Sequence, residues 1–256
     1  MSWAAQRRAK YTIGATLFFI IIVGGPLAYW YFSIPATCTD GIQNQRETDI
    51  DRGGPCPLLD ESKLQALATL WARSFRVRDG SYNAVAYIQN PNQDAGVRTA
   101  RYRFGLYDSE NILVAERESS MFIMPGAVTP VLESRIDTGN RIVSRTYFEF
   151  TGPLAWERMR NNALALAINN KEISSVTTVP RLSATVKNNS VADVISPAFI
   201  AVVFDQAGNA FAASATALDR IASDATASLV FTWPDPFAIQ VGRTDIIPVV
   251  TPTLLR

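Results

Sequence analysis

Five hard oxygen donors, Asp40, Asn44, Glu47, Asp49 and Asp51, lie between the only two cysteines of the chain, Cys38 and Cys56. Carboxylate and amide oxygens held on a constrained loop are what Ca²⁺ prefers. Their spacing is not that of an EF-hand, because D-x-[DN]-x-[DN]-G is absent. Two readings are open: an irregular calcium loop, or a solvated polar stalk. The cysteines carry chemistry of their own. An even count beyond an exported segment favours one disulfide over two free thiols. Closing the loop stabilises by about 3 kcal/mol in the chain-entropy account. The enclosed segment has almost no apolar content and builds no core of its own.

Composition narrows the chemistry further. The chain has 256 residues, a formal net charge of +1 and no histidine. The lack of histidine removes the commonest general base and the commonest zinc ligand together. No G-x-S-x-G, S-x-x-K or paired-carboxylate arrangement stands out, so the expectation is a non-enzymatic protein. Near-neutral charge without a basic stripe argues against a nucleic-acid partner. Asn188-Asn189-Ser190 is formally a glycosylation acceptor, but it reads better as a turn.

The segment ahead of the loop must position it. Residues 11–32 carry no charge, and at about 1.5 Å per residue they cover a hydrocarbon core of about 30 Å. Arg7, Arg8 and Lys10 precede the run, while Tyr29, Trp30, Tyr31 and Phe32 close it as an interfacial belt. The basic flank predicts a cytoplasmic N-terminus with everything after residue 33 outside. Cleavage as a signal peptide fits poorly, since small residues are not placed in an A-x-A-like pattern. Lipidation at Cys38 fits poorly too, because Pro35-Ala36-Thr37 does not supply the expected aliphatic residue. An uncleaved signal anchor is the preferred reading.

Beyond the loop the chain alternates with period two. Leu67, Thr69, Trp71, Phe75 and Val77 read as a strand, with a helical reading also open around Leu59 to Trp71. Asp79-Gly80 then predicts a hairpin into 82–89. Asn90-Pro91-Asn92 ends that strand. Tyr102, Phe104 and Leu106 give the buried face of the next, with Arg101 and Arg103 opposite. Turns at Asp108 to Asn111, Pro125-Gly126 and Thr138-Gly139-Asn140 mark further strands, and Trp156 to Asn162 reads as a short helix or a linker.

The order then repeats at a spacing of about 98 residues. Asn90 pairs with Asn188, Asn111 with Asn209, Val131 with Leu229, Val143 with Val241, and Arg145-Thr146 with Arg243-Thr244. A near-constant offset argues for a duplicated module of about 100 residues. The aromatic and aliphatic positions read as core. Asp108 and Asp205 read as turn caps, and Arg145 and Arg243 as salt-bridge partners of these turn aspartates, in preference to a binding strip.

Phe104-Gly105-Leu106-Tyr107-Asp108 resembles the F-x-L-Y-D signature of a small bacterial Ig-like β-sandwich domain carried on exported proteins. The aligned stretch of the second copy, Ala201-Val202-Val203-Phe204-Asp205, departs at the first aromatic. The cysteine loop resembles a C-x-D-G-x-x-N-x-x-E-x-x-x-D-C-G-G-x-C element of bacterial surface proteins, with Arg52 where that element has another cysteine. The whole arrangement resembles single-pass surface proteins of very small bacteria. This implies adhesion, scaffolding or envelope assembly, and it carries no catalytic residues to transfer.

The expected fold is therefore all-β, with two tandem β-sandwich domains behind one N-terminal transmembrane helix. The segments are a cytoplasmic N-terminus (1–10), the span (11–32), a disulfide-pinned stalk (33–63), a first sandwich (64–152) and a second (153–256). The expected partners are the membrane and a protein or envelope component. The alternative is a Ca²⁺-binding or ligand-sensing module built on the 38–56 loop.

Overall fold

The computed structural model describes residues 3–33, 38–44, 46–56 and 58–254. Pro35-Ala36-Thr37, on which the lipidation reading turned, lies outside them, as does the side chain of Arg7. The described residues belong to two compact units, Met1–Asp60 and Glu61–Arg256.

The first unit begins with α1 (Trp3–Phe19), a π-helical turn over Ile20–Gly24, and α2 (Gly25–Ser33). Pro26 has no N–H for the carbonyl four residues earlier, and the widened turn sits just ahead of it. Thr12 and Thr16 donate their hydroxyls back to the Arg8 and Thr12 carbonyls at 2.7 and 2.8 Å. Polar groups on an otherwise apolar rod are thereby satisfied within it. The stretch Arg8–Trp30 is long and apolar enough to cross a membrane, with a mean hydropathy of 1.9.

The second unit is mostly strand. Its first part contains β1 (Ala68–Arg78), β2 (Ser81–Gln89), β3 (Ala95–Tyr107), β4 (Leu113–Ile123), β5 (Val128–Asp137), β6 (Arg145–Phe150) and β7 (Trp156–Arg160). Its second part contains β8 (Leu166–Ser174), β9 (Arg181–Asn188), β10 (Val194–Ile195), β11 (Ala198–Phe204), β12 (Ala210–Ala217), β13 (Arg220–Ile221), β14 (Thr226–Thr232), β15 (Arg243–Val249) and β16 (Thr253–Leu254). Asp79-Gly80 makes the β1–β2 hairpin, with Gly80 at φ +71° where a side chain would be strained. The helical option near Leu59 reduces to one 3-10 turn at Glu61–Lys63. The β-branched and aromatic residues after Ala68 favour the ladder with β2.

Four principal sheets form, each antiparallel. One has the order β1-β2-β5, and another places β4 and β6 on either side of β3, with β7 and then β16 continuing beyond. The other two are β12-β11-β15 and β14-β9-β8. The β2 residues Ala84, Ala86 and Ile88 pack against Tyr102, Phe104 and Leu106 of β3. Likewise Leu182, Ala184 and Val186 of β9 pack against Phe199, Ala201 and Val203 of β11. A third apolar layer joins these pairs. Phe75, Val85 and Tyr87 on the reverse of the β1-β2-β5 sheet meet Ile200, Val202 and Phe204 on the reverse of the β11 sheet.

Strands β2 and β11 are accordingly buried on both faces, and their sequences are near-continuous apolar runs with little alternation. The two outermost faces differ from this seam. Where the inner sheets present Val85 and Tyr87, β9 presents Ser183 and Thr185. Where β11 presents Ile200 and Phe204, β3 presents Arg103 and Tyr107, with Arg103 salt-bridged to Glu116 and Glu149. The segment 156–162 corrects the sequence reading. Its first five residues form a strand, with Trp156, Glu157 and Arg158 laddered onto Val97, Gly96 and Ala95 of β3, and only Asn162 enters a helix, the 3-10 turn Asn162–Ala165. The reason is non-local, because β3 overruns β6 and leaves an edge for β7 to complete.

Candidate functional site

The first candidate is the cysteine loop. Cys38 and Cys56 are joined by a disulfide, with Cα atoms 5.4 Å apart. The acidic donors inside it hold the chain's own turns. Asp51 accepts from the Asp40 and Gly41 amides, both at 3.0 Å. Asp40 accepts from the Ile42 amide at 2.9 Å and the Asn44 side chain at 3.0 Å. Glu47, only 7% exposed, takes the Asn44 amide at 3.1 Å. Its other oxygen lies 2.9 Å from Cys56 Sγ. A disulfide sulfur has no proton to donate, so this is a packing contact. Asp49 Oδ1 accepts from the Ile50 amide at 2.8 Å.

Among the described residues, the cluster of His, Cys, Asp or Glu side chains close enough to share an ion is Cys38, Glu47 and Cys56. Two of those three are consumed by the disulfide. The four carboxylates each accept from amides that a tight turn would otherwise leave unpaired, while the fifth donor, Asn44 Oδ1, is buried without a partner among the described residues.

The second candidate emerges only from the tertiary structure. A groove of about 470 Å³ opens beside the seam between the β1-β2-β5 and β12-β11-β15 sheets. Phe75 comes from β1, Phe211 from β12, and Trp233, Phe237 and Ile239 from the connection between β14 and β15. Phe237 meets Phe211 and Trp233 edge-on, each at a centroid distance of 5.2 Å. That connection is anchored by the Trp233 amide on the Pro180 carbonyl (3.1 Å) and the Phe237 amide on Val176 (2.8 Å). The connection between β5 and β6 is shorter, because β5 runs on to Asp137 whereas β14 stops at Thr232.

Polar groups are sparse there. Trp233 is 8% exposed, and its indole N–H is buried with no acceptor among the described residues. Such a donor costs about 1–3 kcal/mol. Arg135 sits at φ +56°, a region a bulky side chain seldom adopts, and its amide donates to Asn83 Oδ1 at 3.0 Å. Asn83 Nδ2 in turn reaches the Ala213 carbonyl on β12 at 3.5 Å. Arg76 is paired with Asp79. Arg135 and Asp235, also on the rim, have no ion pair among the described residues.

The turn aspartates are satisfied without the arginines that the sequence pattern assigns to them. Asp108 accepts from the Glu110 and Ile112 amides at 3.0 and 2.9 Å and from Arg141 at 2.6 Å. Its carboxyl is held below the usual carboxylate range, first by the Ile112 amide and further by Arg141. Asp205 is lowered chiefly by the Asn209 amide, at 2.7 Å. Arg145 bonds the Asn111 side chain instead. Arg243 lies 3.8 Å over the Phe204 ring and 3.7 Å from Asp245. Neither arginine reaches its turn aspartate, because backbone amides, and Arg141 at Asp108, already occupy those oxygens.

No family model matches the chain, and no curated protein matches it. Solved structures similar to it include a red sea bream transglutaminase, at 12% identity and a TM-score of 0.23, over 72% of this chain and 31% of that one. Another is pT26-6p, at 7% identity and a TM-score of 0.24, over 74% of this chain and 62% of that one. This chain thus spans less than two thirds of either. At these scores neither likeness bears on its fold or activity.

Proposed function

We propose that the protein is a non-enzymatic, membrane-anchored presenter of two tandem Ig-like β-sandwiches, which make protein or envelope contacts outside the cytoplasm. The observation that carries this is the coupling of a span-length apolar helix to an oxidised cysteine pair on its C-terminal side. Disulfides persist in oxidising compartments, so the bridge and the basic flank ahead of the helix favour the same orientation.

The tandem reading rests on equivalent roles at constant spacing. Asn90 and Asn188 make matching bonds, and Val131 opposite Ala86 matches Leu229 opposite Ala184. On this reading the copies stack in the same sense, a β1-β2-β5 face on a β11 face. That packing is open-ended and would propagate into filaments. The polar character of the two outermost faces stops it after two copies.

The test is crosslinking on intact cells followed by capture through a C-terminal tag. The expected result is a specific envelope protein or polymer crosslinked to residues after 60. Crosslinks confined to cytoplasmic proteins would overturn the proposal.

A further inference from the structure

We infer that the groove beside the seam receives an extended segment of a partner polypeptide, laid along β12 with an apolar side chain among Phe75, Phe211 and Phe237. This deepens, and rests on, the docking role proposed above.

The first ground is the edge. A terminal strand offers unpaired N–H and C=O groups, and proteins blunt such edges with charge, proline or bulges. The terminal strands β1, β4, β5, β8 and β15 all carry charged residues, and β5 and β15 carry proline as well. Strand β12 (Ala210–Ala217) has neither, as does the terminal strand β14 (Thr226–Thr232), but β12 lines the groove with four consecutive residues where β14 gives only Thr232, and the second edge of β12 pairs with no strand among the described residues. On that edge the Ala213 carbonyl has only the long contact from Asn83, and the Ala210 carbonyl an equally long one from Arg73 at 3.4 Å. Long side-chain contacts of this kind are weak competitors for a main-chain N–H.

The second ground is the lining. Consecutive β12 residues from Phe211 to Ser214 border the groove. Strand addition uses main-chain hydrogen bonds for affinity and side-chain pockets for specificity, and both are adjacent here. Arg135, without an ion pair among the described residues, selects an acidic residue next to the seated apolar one, while Asp235 disfavours a second acid on its own side. The Trp233–Gly242 connection, longer than the 138–144 connection between β5 and β6, builds one wall. A site made by the element that differs between otherwise matching halves is where specificity is expected.

The experiment pans a random octapeptide display library on the full-length protein in lipid nanodiscs, then titrates synthetic versions of the enriched peptides. Alternating apolar and polar sequences with an aromatic and an acidic residue are expected. Ile239→Glu, at a position 46% exposed and so tolerant of change, should weaken them about tenfold or more. Arg135→Glu should weaken them and Asp235→Asn should not, with melting temperatures unchanged throughout. Alternate N-methylation of the peptide should abolish binding. Lack of enrichment over empty nanodiscs, or indifference to Ile239→Glu, overturns the inference. So does light scattering that shows a dimer lost in Ile239→Glu, which assigns the groove to a second copy. Envelope crosslinks retained equally by wild type and Ile239→Glu would leave the docking role standing and remove only the groove.

Discussion

Asn188 stands to Ala225 as Asn90 stands to Ala127: each donates its main-chain N–H to that alanine's carbonyl, at 2.9 and 3.0 Å. The side chains repeat the relation. Asn90 Nδ2 reaches the Ala95 and Met124 carbonyls at 2.7 and 3.0 Å. Asn188 Nδ2 reaches Ala192 and Ala222 at 2.8 and 3.1 Å. Both asparagines are buried, at 1% and 0% exposure, and both Oδ1 atoms accept from the amide two residues on. Each side chain therefore bolts the end of one strand to the turn that follows it and to one distant segment, and Asn188 is closed to glycosylation in the folded chain.

Asn188→Ala leaves its buried carbonyl partners without their donor and should cost about 2 kcal/mol or more, with Asn90→Ala costing a similar amount. Denaturant unfolding of the detergent-solubilised protein measures both. A change below about 0.5 kcal/mol would show that water or relaxation replaces the bolt.

The seam makes the strand-rich unit unfold as one body. Val202 has no exposure, and Val202→Ala should cost about 2 kcal/mol from lost burial and the cavity left behind. Trp71 in the seam and Trp233 beside the other core should report a common midpoint when followed separately in single-Trp variants. Two separated transitions would show that the seam is weak.

Acid stability depends on the turn aspartates. Asp108 and Asp205 ionise below the ordinary carboxylate range in the fold, through the Ile112 and Asn209 amides respectively. A depressed folded value stabilises the protein above the unfolded value of about 3.9, and that stability is lost as pH falls through the folded one. Asp108→Asn and Asp205→Asn should thus be less stable at neutral pH, with a shallower loss below about pH 4. An unchanged acid limb in both variants would contradict this.

For the cysteine loop, reduction or Cys38→Ser should release about 3 kcal/mol of loop constraint and open residues 38–56 to proteolysis. The midpoint of the unit after residue 60 should not move. Millimolar Ca²⁺ should leave the protease sensitivity of the oxidised loop as it is, since the carboxylates already serve amides. Protection by Ca²⁺ would assign the loop to the cation.

Local patterns make the helix, the disulfide, the Asp79-Gly80 hairpin and the buried face of β3 legible in the sequence. Non-local features are not. Trp156 to Arg160 forms a strand because β3 has an unfilled edge at Ala95 to Val97, about 60 residues away. By their hydrogen bonds the 108–112 and 205–209 turns, like β3 and β11, match at 97 residues, one less than the letter repeat: Asn111 at φ +62° takes the place that Gly208 holds at φ +83°, and Ile112 that of Asn209. The turn demands a left-handed residue before its closing position, and letter matching cannot see that. The double-sided burial of β11 does leave a trace, the unbroken apolar run Phe199 to Phe204. The groove has no local trace, since Phe75, Phe211 and Phe237 come from three separate segments.

The orientation of the chain tests the account most directly. Alkaline phosphatase, which needs oxidised cysteines to be active, can be fused after Arg256 and compared with a cytoplasmic fluorescent fusion at the same point. A phosphatase-active, non-fluorescent pair of fusions is the outcome expected of an exported docking unit. An inactive phosphatase beside a fluorescent partner would place the strand-rich unit in the cytoplasm and contradict it.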